Sequence, residues 1–234
     1  MPGRLATSAG GAPPDEPRLW VCRPRDGFFA IACPLGVGVD AAAFALERIG
    51  TEQPAPAAPA GNVEHLRVAA LRKSILEADA AWRAACRAQA SLDATATLAI
   101  LSLADARAVV AHLGDCRVYQ LRAWQAIRET ADHVQPAIAR PSGRAVRAIL
   151  RAFGMGANPE VSVWKIEPGD VFALSSGVHD FVSTAEMISK LRLEPDVAVV
   201  ATQLINLARE RGARNYCGIV LASTKAPEAV PLRR

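Results

Sequence analysis

The sequence predicts an α+β fold, with two antiparallel sheets packed face to face and helices layered outside them. Three observations lead there. Short apolar runs follow one another across turn-rich linkers, so neighbouring strands run antiparallel. The longer segments with helical spacing come in pairs, as they do when helices cover a sheet face. The chain has 234 residues, 51% of them hydrophobic, which is enough to bury several layers. No apolar run approaches the ~20 residues that would span a bilayer.

Met1 to Pro17 is rich in Gly, Pro and Ala, lacks an apolar signal-peptide core, and reads as a flexible tail. A single domain is expected over residues 18–224, then a short tail over 225–234. Leu19 to Cys22 and Phe28 to Cys33 are apolar runs around Arg23-Pro24-Arg25-Asp26-Gly27, which is a hairpin pattern. Asp40 to Ile49 has helical spacing, and Thr51 to Gly61 is a Pro/Ala loop. His65 to Ala90 reads as a long amphipathic helix carrying Leu66, Ala69, Ala70, Ile75, Leu76 and Trp82 toward one face. Thr95 to Leu103 and Ala108 to Leu113 are strands split by Ala104-Asp105-Ala106-Arg107, and Val118 to Leu121 continues the sheet.

Thr130 to Gly156 is broken by Pro136, Pro141, Gly143, Gly154 and Gly156, with a short helical patch at Ala145 to Phe153. Val161 to Ile166 and Val171 to Leu174 are strands around the Pro168-Gly169-Asp170 turn. Thr184 to Leu191 and Pro195 to Arg211 are helices, and Tyr216 to Ala222 is the last strand.

Composition narrows the function. The net charge of +4 comes from scattered arginines, no Lys/Arg block interleaves with aromatics, and only 5% of residues are aromatic, so nucleic acid is not an expected partner. No membrane association is expected either, and a cytoplasmic location follows by default. Cys22, Cys33, Cys86, Cys116 and Cys217 are odd in number and contain no C-x-x-C pair. Buried small hydrophobes explain them better than disulfides or a zinc module.

Five segments carry the functional reading. Gly169-Asp170-Val171-Phe172-Ala173-Leu174-Ser175-Ser176-Gly177-Val178-His179-Asp180 resembles the G-D-x-F-L-L-C-S-D-G-L-T-D segment of the metal-dependent protein phosphatase 2C (PPM) family. Ala111-His112-Leu113-Gly114-Asp115-Cys116-Arg117-Val118-Tyr119 resembles its A-x-V-G-D-S-R-x-Y hairpin, and Thr130-Ala131-Asp132-His133 its L-T-x-D-H turn. Arg151-Ala152-Phe153-Gly154 resembles its R-A-L-G, and Arg211 to Val220 its G-S-x-D-N-I-T-V-I-V ending. Their common order implies the family's four-layer α-β-β-α sandwich.

The resemblance implies a chemistry that the sequence does not carry through. Family members hydrolyse phosphoserine and phosphothreonine with two Mg²⁺ or Mn²⁺ ions held by carboxylates. The aspartate that both metals share in D-G-M-G-G matches Cys33, which is followed by Pro34. The S-D-G aspartate matches Ser176, the D-N aspartate matches Arg214, and an N-terminal acid matches Pro17. At the family's phosphate-binding arginine stands Ala12. Thiols, hydroxyls and a guanidinium are poor company for hard cations. Cys33, Ser176 and Arg214 are nevertheless expected side by side at one end of the sandwich.

Asp115 and Asp180 survive at positions that hold a third, weaker metal in some bacterial members. The structural alternative is that Asp115 fixes the hairpin turn and Asp180 caps the following helix. Cys33, Cys217, His179 and Asp180 would make a zinc site only if they converge tetrahedrally.

The leading reading is a pseudophosphatase, expected to need no cofactor, that binds a protein. The partner expected is a Ser/Thr kinase or its phosphorylated substrate, with Arg214 available to a phosphate or acidic group. The alternative is a divergent phosphatase using Mg²⁺ or Mn²⁺ in an atypical site. A third reading is a structural subunit whose cleft is closed by packing.

Overall fold

The computed structural model describes residues 6–10, 20–23, 27–35, 39–51, 63–88, 94–135, 138–139, 145–146, 148–156, 158–213 and 217–224. Strands β1 (Ala6–Gly10), β2 (Trp20–Arg23) and β3 (Phe28–Leu35) are followed by helices α1 (Val39–Thr51) and α2 (Val63–Ala88). Then come β4 (Thr95–Ala104), β5 (Arg107–Leu113), β6 (Arg117–Arg122), β7 (Gln125–Glu129), β8 (Ile138–Ala139), β9 (Ala145–Val146), β10 (Glu160–Lys165) and β11 (Val171–Ser176). A 3₁₀ turn at Val178–Asp180 leads to α3 (Thr184–Leu193), α4 (Val197–Glu210) and β12 (Gly218–Ser223). One five-stranded sheet has the order β1-β12-β11-β6-β7 and the other β10-β5-β4-β3-β2, and the neighbours within each pair antiparallel.

Strand alternation sorts the side chains into three apolar layers. Phe28, Ala30 and Ala32 of β3 pack with α1 and α2, whereas Phe29 and Ile31 point into the space between the sheets. Phe172 and Leu174 of β11, with Val220 and Ala222 of β12, meet them there. Ala173, Ile219 and Leu221 point the other way, onto Val200, Ala201, Leu204 and Ala208 of α4. Both faces of each central strand are therefore buried. This is the four-layer sandwich that the sequence predicts, and it explains why the strands read as near-continuous apolar runs. Among the described residues no helix is long and apolar enough to cross a membrane.

Three expectations fail. The flexible tail expected over Met1–Pro17 does not hold at Ala6–Gly10, which pair with β12. Their A-T-S-A-G sequence carries no apolar alternation, so the pairing comes from backbone bonds to a waiting edge. The helical patch at Ala145–Phe153 is absent from the residues described there. Ala145–Val146 pairs with Ile138–Ala139, Ile149 bridges Val134, and Phe153 bridges Ala96. The third is Asp180: α3 is capped by Ser183, in a reciprocal capping box with Glu186, and Asp180 instead closes the 3₁₀ turn.

The Pro168-Gly169-Asp170 turn carries the chain from one sheet to the other, since β10 pairs with β5 and β11 with β6 and β12. Asp170 is fully buried and anchors this crossover. It accepts hydrogen bonds from Gln120 Nε2 (2.7 Å), Arg122 Nε (2.7 Å) and the Glu167 N–H (2.9 Å). Burial pushes its carboxyl up, but these donors, Arg122 first, hold it below the usual range.

Candidate functional site

β3, β11 and the β5–β6 turn meet at one end of the layer between the sheets. Cys33 continues the inward-facing series Phe29, Ile31, and lies opposite Thr97 of β4. Ser176 continues the inward series Phe172, Leu174 and is buried at the last position of β11. The two arrive from different sheets and meet: the Ser176 hydroxyl lies within hydrogen-bonding reach of the Cys33 thiol. Of the three positions expected side by side, these two meet. Arg214 and Pro17, the other two substituted positions, lie outside the described residues.

Asp115 sits in the β5–β6 turn, where it accepts from the Thr97 side chain and from its own backbone N–H. Thr97 Oγ1 also lies 3.2 Å from the Sγ of buried Cys116. Burial pushes the Cys33 thiol up to about 11, against the Ser176 hydroxyl and with help from Asp115. Burial raises Cys116 and Asp115 as well. This end of the cleft thus favours neutral groups. A protonated thiol and a hydroxyl offer a hard divalent ion neither charge nor well-matched donors, so the pair does not fit a shared Mg²⁺ or Mn²⁺.

Beneath the rim, Ser175 faces the helix layer, and its Oγ lies 3.0 Å from His179 Nδ1. Burial, and then Arg117, hold His179 below its ordinary value despite the pull of Asp180, Asp132 and Asp115. Cys217 belongs to the α4 layer, on the opposite side of its sheet from Cys33. No three of Cys33, Cys217, His179 and Asp180 converge as metal ligands would.

The segment Thr130–His133 is tied to the β5–β6 turn along its length. Arg117 clamps Asp132 through two bonds, Nε to Oδ1 at 2.7 Å and a terminal nitrogen to Oδ2 at 2.8 Å, and also reaches Glu129. The Val118 N–H donates to Thr130 Oγ1, and the His133 N–H donates to the Gly114 carbonyl. The sequence places both motifs in order but does not reveal a third contact. His112, His133 and Glu160 bring their ligand-type atoms within 4.8 Å of one another. The missing signal is the β5–β10 register, which sets Glu160 opposite His112 across 48 residues of chain.

No protein-family model and no curated protein matches the sequence. Solved structures do match. PppA, a regulatory component of the type VI secretion system in Pseudomonas aeruginosa, is 21% identical, over 94% of this chain and 96% of that one, at TM-score 0.74. The Mycobacterium tuberculosis serine/threonine phosphatase PstP is 24% identical (94% and 97% covered, TM-score 0.71), and Stp1 of Staphylococcus aureus 16% (96% and 96%, TM-score 0.75). The chain has the phosphatase 2C fold. A structure of the PstP catalytic domain holds two manganese ions. At these identities the likeness establishes the sandwich over nearly its whole length, and the chemistry rests on this chain's own residues.

Proposed function

We propose that this chain is a pseudophosphatase: a non-catalytic module of the phosphatase 2C fold that binds a protein partner through its cleft or surface. The observation that carries this reading is the meeting of Cys33 and Ser176, a protonated thiol and a hydroxyl at the cleft's end. Metal-assisted phosphoester hydrolysis needs a bound water of lowered pKa and charge to offset the developing oxyanion. Neither follows from neutral ligands. The partner we propose is a Ser/Thr kinase or its phosphorylated substrate, with Arg214 as the cation that would meet phosphate.

The test is an assay of the purified protein with p-nitrophenyl phosphate and a phosphothreonine peptide, with Mg²⁺ or Mn²⁺ added. No release above the protein-free control is expected. Fluorescence anisotropy should show the phosphorylated peptide binding more tightly than its unphosphorylated form, and Arg214→Ala removing the difference. Metal-dependent turnover that disappears in Asp115→Ala or Asp180→Ala would overturn the proposal in favour of a divergent enzyme.

A further inference from the structure

The contacts of His112 and His133 fix where each ring carries its proton. His112 Nε2 lies 2.9 Å from the Ala131 carbonyl, which can only accept, so this nitrogen is the donor. The Gly114 N–H points at His133 Nδ1 from 3.3 Å, so that nitrogen is bare. The proton of neutral His133 therefore sits on Nε2, 3.2 Å from Glu160 Oε2. The two rings stack with centroids 4.3 Å apart and planes 14° from parallel.

A metal ion would sit in the plane of every imidazole that binds it. Two stacked, nearly parallel planes share no such point within bonding distance, and His133 offers a protonated nitrogen to Glu160. The cluster is built around protons. A second proton can enter His133 only at Nδ1, where it would face the Gly114 N–H, donor against donor. The same proton makes the ring cationic and strengthens its bond to Glu160. Uptake thus costs the Gly114 bond and strengthens the one to Glu160.

We propose that His133 is a proton-operated latch on the turn at Gly114–Arg117. Neutral, it accepts the Gly114 N–H and closes the turn; protonated, it gives up that N–H, keeps its backbone bond to the Gly114 carbonyl and is held more tightly by Glu160. The charged and titratable groups around it are His112 of β5, Glu160 of β10 and Asp132 of its own segment, which is paired with Arg117 of β6. Arg151, whose carbonyl borders Gly114, is exposed. Gly114 immediately precedes Asp115, so opening the latch loosens the rim that holds Asp115 and Cys116. This inference is independent of whether the cleft is catalytic.

Nuclear magnetic resonance of the intact protein between pH 8 and 5 is the test. The Gly114 amide should shift across this range, and its protection should fall at least tenfold at the acid end. His133→Asn keeps an acceptor near the Nδ1 position without a titratable group, so Gly114 should stay flat and protected. Glu160→Gln removes the anion that holds the charged ring, so Gly114 should keep more of its protection at the acid end. A Gly114 amide that does not titrate in the unaltered protein overturns the latch. So does a pH response of Gly114 that survives in His133→Asn, or one unaltered by Glu160→Gln. Stoichiometric Zn²⁺ binding by calorimetry, lost in His133→Asn, would replace the latch with a metal site.

Discussion

An aspartate at Cys33 would stand where the local environment resists charge even on a thiol, which it holds at about 11. Cys33→Asp combined with Ser176→Asp puts two carboxylates into contact at a buried rim. Without metal this should cost about 3 kcal/mol or more in chemical denaturation. Added Mn²⁺ should restore part of the loss by binding the folded state alone, while leaving the unaltered protein's melting temperature unmoved. A metal-induced shift in the unaltered protein would reveal a site that the neutral pair does not explain. The histidines give a pH dependence of definite sign. Burial holds both His112 and His179 below the ordinary imidazole value, so the unfolded chain binds these protons first. Stability should be full above roughly pH 6.5 and decline as pH falls through the lower folded values, read as a shrinking urea midpoint. Asp115, raised by burial, contributes in the opposite sense within the carboxylate range. The sequence made Cys33 and Ser176 legible as a pair because short motifs fix both strand ends. It could not reveal the His112–His133 stack, which depends on how a loop lies against a sheet edge.

Turns and edges are the elements where sequence reading divides most clearly. The Asp105–Ala106 turn was legible because it separates two strong apolar runs, although both its residues adopt positive φ. The Ala123–Trp124 turn has the same backbone signs but leads into β7, whose residues are all exposed, so no apolar pattern announced that strand. Gly114 shows how much one turn residue can carry. Its φ is +84°, and a Cβ there would come within 2.2 Å of Thr97 Cγ2. Gly114→Ala should therefore cost about 3 kcal/mol, combining left-handed strain with overpacking at the rim. Gly169 has a similar φ of +90° but open space around it, so Gly169→Ala should cost only about 1 kcal/mol. Equal losses for the two, measured by denaturant titration, would mean that the Thr97 contact relaxes freely.

At the scale of the whole molecule, the three apolar layers were legible because each strand must satisfy two faces, and only a four-layer stack gives every strand and helix a partner. The sheet memberships were not. The short Pro-Gly turn before β11 looks like a hairpin, and only the strand pairing, β10 with β5 and β11 with β6 and β12, shows it to be a crossing between sheets. The pairing of Ala6 with Ser223 has a consequence of another kind. The first and last described strands lie side by side, so the fold is nearly a closed loop whose opening could be placed elsewhere. A circular permutant that joins the two ends through a short flexible linker and begins at Trp124 would open the turn that Ala123 and Trp124 hold at positive φ. It should fold to the same sandwich, with unchanged far-ultraviolet circular dichroism. Its order of synthesis would differ: β1 would no longer have to wait for nearly the whole chain to be made before meeting β12. Refolding that becomes faster in the permutant would identify the β1–β12 closure as the step that limits assembly.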